Sequence, residues 1–236
     1  MKKLAILTAL FVAMGAAQAD VSVFGTMDAG YNSSKAPGAA TATTSFQSGG
    51  MTTSNIGFRG NEDLGNGSKA NFEVSSFING GNGATMGGTT ANTWARSAWV
   101  GLSNSQYGEV KLGRQSNPSF LPTILFNAYG DSGAYSPLWH ATYFGNTGNT
   151  MTQLYNDTAW DNSVAYSTPS IGGAVVTVQN AKGTTASNNG ANVLFFKGDL
   201  GLMAYTQNTG FNSSGSFQTN AFASGGTARS SGAGAS

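Results

Sequence analysis

The chain has 236 residues, 34 of them glycine and none cysteine, with 11 Lys+Arg against 10 Asp+Glu and a net charge of +1. The lack of cysteine excludes a disulfide scaffold and any thiolate metal or redox site, and the near-neutral charge excludes the basic field that nucleic-acid binding needs. Charged residues are only 9% of the chain, which suits both an apolar-faced sheet and a low-complexity chain, so the recurrence of apolar residues has to decide the fold class.

The N-terminus opens with Lys2 and Lys3, continues apolar from Leu4, and closes on Ala17-Gln18-Ala19. A short basic segment, an apolar run too short to span a bilayer and a small-residue site make residues 1–19 a secretory signal peptide, with Asp20 as the mature start. Without Lys2 and Lys3, nine basic side chains face ten acidic ones, a net charge of −1. Residues 21–31 then alternate, with Val21 and Val23 among the apolar or small odd positions and mostly polar residues between them. In a strand, that pattern gives one greasy face and one wet face.

The same period returns at residues 54–60, with Ile56 and Phe58 on one face and Asn55, Gly57 and Arg59 on the other. Residues 61–67 carry turn chemistry ending in Asn66-Gly67. Ala70, Phe72 and Val74 then oppose Lys69, Asn71, Glu73 and Ser75, completing a predicted hairpin. After a Gly/Thr/Asn loop at 78–92, residues 94–102 form the next strand, with Ala98, Val100 and Leu102 apolar. There Arg96 shares the apolar parity and Trp99 the polar one, which predicts a bulge or a rim position for Arg96. A short turn at 103–108 leads to residues 109–113, with Val110 and Leu112 outward and Glu109 and Lys111 inward.

Alternation stops over residues 115–159, a stretch with Pro118, Pro122, Pro137 and several aromatics. A loop of that length is functional or disordered, and its aromatics argue against plain disorder. Residues 160–168 resume as a strand, with Val164 and Tyr166 opposing Asp161, Ser163 and Ser167. A proline turn at 169–173 leads to a partner at 174–179, and 182–192 reads as a polar loop. Residues 193–197 and 202–207 flank a Gly198-Asp199-Leu200-Gly201 turn, 217–222 are a weaker tenth candidate, and the Gly/Ala/Ser tail after Ser224 has no strand character. Short connections follow the even strands and long ones the odd strands, the asymmetry of outer-membrane barrels.

No enzymatic constellation emerges. His140 is the only histidine, so a multi-His metal site is excluded. Gly60 to Gly65 has phosphate-loop spacing, but Asn66 stands where lysine is required. No catalytic residue, cofactor or metal is expected. The functional candidates are the polar strand faces: Asp28, Arg59, Lys69, Glu73, Lys111 and Asp161 would face a lumen, and charged walls of that kind set ion preference. Arg114 is a further pore-lining candidate displaced by parity, and Asp131 in the long loop is the candidate acid at a constriction.

Four segments resemble the general porins of beta-proteobacteria, related to neisserial porins. They are residues 23–30, residues 57–70 (the most specific), residues 98–115, and residues 161–169, in matching order and spacing. The resemblance implies an all-β, transmembrane antiparallel barrel of sixteen strands, assembled as a homotrimer in outer-membrane lipid and passing small hydrophilic solutes and ions. It also implies a third extracellular loop folded inward, where residues 115–159 lie. Residues 20–236 are then the N-terminal portion of a porin domain. With nine or ten strands, the barrel is expected to be incomplete and the sequence a fragment that cannot close a pore. The residues leave one other class open: a small exported β-domain acting as an adhesin or binding module, or a smaller closed barrel.

Overall fold

Strand periodicity becomes a ladder along most of the chain. The computed structural model describes residues 20–35, 38–85, 93–147, 150–154, 158–182, 187–210 and 227–235. The expected signal peptide and the candidate strand at 217–222 lie outside them. In chain order the elements are β1 (Asp20–Thr26), β2 (Ala29–Ser34), β3 (Thr43–Ser48), β4 (Asn55–Gly65), β5 (Ser68–Phe77), β6 (Ser97–Asn104) and β7 (Gly108–Ser116). Two short helices follow, α1 (Phe120–Leu125) and α2 (Pro137–Tyr143), with a hairpin of β8 (Phe144–Thr147) and β9 (Thr150–Leu154). The wall then resumes with β10 (Ala159–Ser167), β11 (Ala174–Lys182), β12 (Ser187–Lys197), β13 (Leu200–Gly210) and β14 (Thr227–Ala235).

Ten of these strands make one sheet in the order β1-β4-β5-β6-β7-β10-β11-β12-β13-β14, every neighbour antiparallel. The sheet is open: β1 and β14 each pair on one side. Register sorts the side chains as the alternation requires. Phe72 pairs with Val100, Val100 with Leu112 and Leu112 with Val164, a row across four strands. Val100, Leu112 and Val164 are 58%, 49% and 50% exposed, so this face is apolar and uncovered. The other face carries Lys69, Glu73, Trp99 and Lys111 and borders a cavity. Among the described residues, no helix is long and apolar enough to cross a membrane.

Several boundaries differ from the sequence-based expectation. The first strand breaks after Thr26, and residues 29–34 leave the wall to pair with β3. Asp28 makes the break: its Oδ2 accepts the backbone N–H of Met51 (2.6 Å) and Thr52 (3.1 Å), and its own N–H donates to Ser54 Oγ (2.9 Å). The expected turn at 61–67 shrinks to Asn66-Gly67, because Asn61, Glu62 and Asp63 stay in the ladder opposite Asn71, Ala70 and Lys69. Both turn residues have positive φ (52° and 74°), the geometry that favours Asn-Gly in two-residue hairpins. Arg96 precedes β6, so strand parity does not govern it.

The loop expected at 182–192 is mostly strand, since β11 runs through Lys182 and β12 starts at Ser187. The tail after Ser224 is also strand: β14 pairs with β13 from Gly210↔Thr227 to Leu202↔Ala235. Its small residues are what the partner needs. Gly232 faces Tyr205, whose ring occupies the space a Cβ would fill, and Gly234 lies beside Met203. Low β-propensity gives way here to cross-strand fit.

Candidate functional site

One cavity of about 1480 Å³ lies against the inner face of the sheet. Of the eight residues expected to line a lumen, Arg59, Lys69, Glu73, Lys111, Arg114 and Asp131 border it. Asp28 does not, because it sits in the break between β1 and β2 and caps backbone N–H groups there. Asp161 stands beside the cavity, two-thirds exposed, with its Oδ1 2.8 Å from Arg114 Nη1.

The charged side chains are held by partners of different kinds. Lys111 Nζ lies 3.2 Å from Glu109 Oε2 and 4.3 Å from the centre of the Trp99 ring. The Arg59 guanidinium sits 5.2 Å over the Phe24 ring. Arg96 Nη1 is 3.9 Å from Glu73 Oε1 and 3.3 Å from Ser75 Oγ, and Glu73 accepts a hydrogen bond from Ser97 Oγ at 2.6 Å. Five cations (Arg59, Lys69, Arg96, Lys111, Arg114) and three carboxylates (Glu73, Glu109, Asp131) border the space. The balance is basic on this wall, although residues 20–236 as a whole carry nine basic and ten acidic side chains.

Parity misplaces Arg114 because a bulge intervenes. Trp160 pairs with Gln115 and Ser163 with Gly113, so Asp161 and Asn162 together oppose Arg114. Asn162 (φ 52°) and Gly113 (φ 126°) absorb the extra residue. Arg114 and Gln115 consequently border the cavity side by side, and Arg114 Nε also donates to the Ala95 carbonyl at 2.5 Å. Beneath them Ser163 Oγ accepts from Gln115 and Gln179, both at 3.1 Å, and donates to the Gly113 carbonyl at 2.7 Å. The inward parity of Ser163 and Gln179 could have revealed this network. The Trp99 platform was visible only as a parity violation.

Described residues between β7 and β10, from Asn117 to Trp139, border the cavity, and the segment is tied at both sides. Towards β4, Asp131 Oδ2 accepts from Thr52 Oγ1 (3.0 Å) and Thr53 N–H (3.4 Å), while Ser132 Oγ donates to the Gly50 carbonyl (2.7 Å). Towards the far strands, Asn192 of β12 donates to the Pro118 carbonyl (2.8 Å), and Gln207 of β13 accepts the Ser119 N–H (3.2 Å). β4 is second in the sheet order, while β12 and β13 are eighth and ninth, so the segment spans the inner face. Its own core is aromatic: the Phe120, Trp139 and Tyr143 rings lie 4.7 to 6.3 Å apart between centroids, and Tyr143 OH meets Ser119 Oγ at 2.9 Å. The boundary expected at Gln115 moves to residue 117, since Gln115 and Ser116 belong to β7.

Comparison with known proteins places this geometry. The family model described as Gram-negative porin matches residues 5–236. An outer membrane porin protein of Bordetella pertussis is 33% identical over 189 residues, 73% of this chain and 46% of that protein. Outer membrane porin protein 32 of Delftia acidovorans is 30% identical over 73% of this chain and 47% of its own length. The chain thus spans about half the length of the curated relatives it matches. Among solved structures, the anion-selective porin from Comamonas acidovorans superposes with a TM-score of 0.67 at 24% identity, covering 82% of this chain and 58% of that one. A trimer form of OmpT from Vibrio cholerae gives 0.51 at 15% identity, over 91% and 58%. At these identities the structural matches speak for the fold, a porin β-barrel.

Proposed function

This chain belongs to the Gram-negative porins, outer-membrane proteins and not enzymes, and from that premise we propose that it forms one side of a water-filled channel for passive diffusion of small hydrophilic solutes and ions. The observation that carries the reading is the division of the sheet: exposed aliphatics on one face, and a large cavity bordered by charged and polar side chains on the other. Lipid would meet the first face and water the second. Residues 20–236 are assigned to the barrel domain, residues 117–158 to the segment that narrows the pore, and the working assembly to a homotrimer.

The excess of cations on the cavity wall supports a preference for anions, because fixed charge in a narrow pore concentrates its counter-ions. The proteins to test are those that carry this chain, reconstituted in a planar bilayer under a potassium chloride gradient. The expected result is stepwise conductance with a reversal potential on the chloride side. Absence of any channel steps would remove the channel reading, and a potassium-side reversal would remove the selectivity.

A further inference from the structure

Two buried serines stand between an arginine and a glutamate of the inner wall. Ser75 is 0% exposed and Ser97 6%, they face each other in the β5–β6 ladder, and their Oγ atoms are 2.5 Å apart. Packing explains their size, since a Cβ on the neighbouring Gly57 would come within 2.6 Å of the Ser75 Cβ. It does not explain their oxygens, because alanine is as small and buries no polar group. The ends of the chain of contacts fix the direction of its protons, as a guanidinium only donates and a carboxylate only accepts. Arg96 Nη1 donates to Ser75 Oγ at 3.3 Å, and Ser97 Oγ donates to Glu73 Oε1 at 2.6 Å, so Ser75 donates to Ser97. Each hydrogen bond in such a line strengthens the next.

Arg96 Nη1 and Glu73 Oε1 are themselves 3.9 Å apart, too far for a direct hydrogen bond. The carboxylate is held by a hydroxyl instead of the two-pronged guanidinium contact that such pairs favour. A second arginine, Arg59, faces Glu73 in the β4–β5 ladder, yet its guanidinium lies over the Phe24 ring. Both arginines border the cavity. We propose that Ser75 and Ser97 are positioning residues for ion selectivity: the hydroxyl pair keeps the Glu73 carboxylate from closing on Arg96 or Arg59, so that both cations act on the cavity. The inference rests on the channel reading above and adds residues that carry no charge to those that set its ion preference.

The test is the chloride-to-potassium permeability ratio, read from reversal potentials in planar bilayers at about 0.1 M salt, where the Debye length is still ~10 Å. The proteins are those that carry this chain, and stepwise conductance shows that each variant has folded. Ser97→Ala removes no charge but frees the carboxylate to mask an arginine. The ratio should fall about twofold, the effect of one unit charge felt in water at ~10 Å. Ser75→Ala leaves the bond from Ser97 to Glu73 in place and should lower the ratio less. Ser97→Thr keeps the hydroxyl and should keep the wild-type ratio. In a Glu73→Gln background Ser97→Ala should change nothing further, because an amide masks no cation. A packing role alone would alter stability or conductance, not a ratio that depends on Glu73. A ratio unchanged or raised in Ser97→Ala, or one that falls as much in the Glu73→Gln background, overturns this inference and leaves the channel reading standing. A fall in Ser97→Thr equal to that in Ser97→Ala overturns the part given to the hydroxyl. Failure of the unsubstituted protein to conduct potassium chloride overturns the channel reading itself.

Discussion

Leu112→Arg tests the division of the sheet at the middle of its exposed apolar row. Leu112 is the fifth of the nine residues of β7, half exposed, with Val100 and Val164 beside it in the row. A strand tilted ~45° and rising ~3.4 Å per residue climbs about 2.4 Å per residue along the bilayer normal. Nine residues then cover about 21 Å of an apolar band ~25 Å tall, which puts Leu112 within a few ångströms of the midplane. Arginine there costs about 2–4 kcal/mol, falling to about 0–1 kcal/mol at the interfaces. Val110→Arg, two residues and about 5 Å nearer the short turn, should cost roughly half as much. Lys111→Leu faces the cavity and gives up a partly exposed pair with Glu109, so it should cost under about 1 kcal/mol. The assay is reversible urea unfolding of the protein in detergent–lipid micelles, followed by the fluorescence of its four tryptophans. A Lys111→Leu cost equal to or above that of Leu112→Arg would refute the two-faced assignment. Equal costs at 110 and 112 would refute the depth argument.

Lys69→Glu and Lys111→Glu should each move the reversal potential toward cations, and the shift should shrink as added salt cuts the Debye length from ~10 Å to ~3 Å. Unchanged potentials in both variants would put these residues outside the conduction path. Asp131→Ala removes the acceptor for Thr52 and Thr53, so open-channel current noise should rise as the tethered segment loosens, and a trace as quiet as wild type would deny the tether. Gly232→Leu drives a side chain into the Tyr205 ring. It should destabilise the protein by about 1–3 kcal/mol as overpacking does, measured by the same urea titration. N-terminal sequencing of outer-membrane material should begin at Asp20, and a sequence starting at Met1 would overturn the processing site.

How much of this was legible depended on how local each determinant was. The strands with clean parity, such as Ile56 and Phe58 or Val110 and Leu112, were readable because a half-buried ladder forces period two on the sequence. The β14 strand was unreadable by the same logic. Its residues are chosen to fit Tyr205 and Met203 on a neighbour more than 20 residues away, and propensity contains no term for that. The polarity of residues 187–192 predicts a loop, yet they form a strand whose Asn192 bonds the crossing segment at Pro118. Among the candidate site residues, Arg59, Lys69, Glu73 and Lys111 came from parity alone. Arg114 needed the bulge at Asp161-Asn162, a feature with no sequence signature beyond the misfit itself. Asp28 lies outside the cavity lining because a carboxylate two residues past a strand end can equally cap free backbone N–H groups, and here it does.

In the proposed channel, the tethers of the crossing segment would fix the distance between its acid and the basic wall. A loop fixed only at its own ends would wander, and the distance between its acid and the basic wall would fluctuate with it. Here residues 117–158 are joined to the strand-break region at Gly50, Thr52 and Thr53 and to the far strands at Asn192 and Gln207. Most of the anchoring groups are buried: Ser119 and Ser132 are 0% exposed and Gln207 is 1% exposed. Hydrogen bonds shielded from water lose little to competing solvent, and leaving one unmade is expensive. The same break at Asp28 that keeps this residue out of the cavity lining presents Gly50 and Thr52 to the crossing segment. The residue that reads from sequence as a lumen charge is therefore part of the frame that holds Asp131 in place.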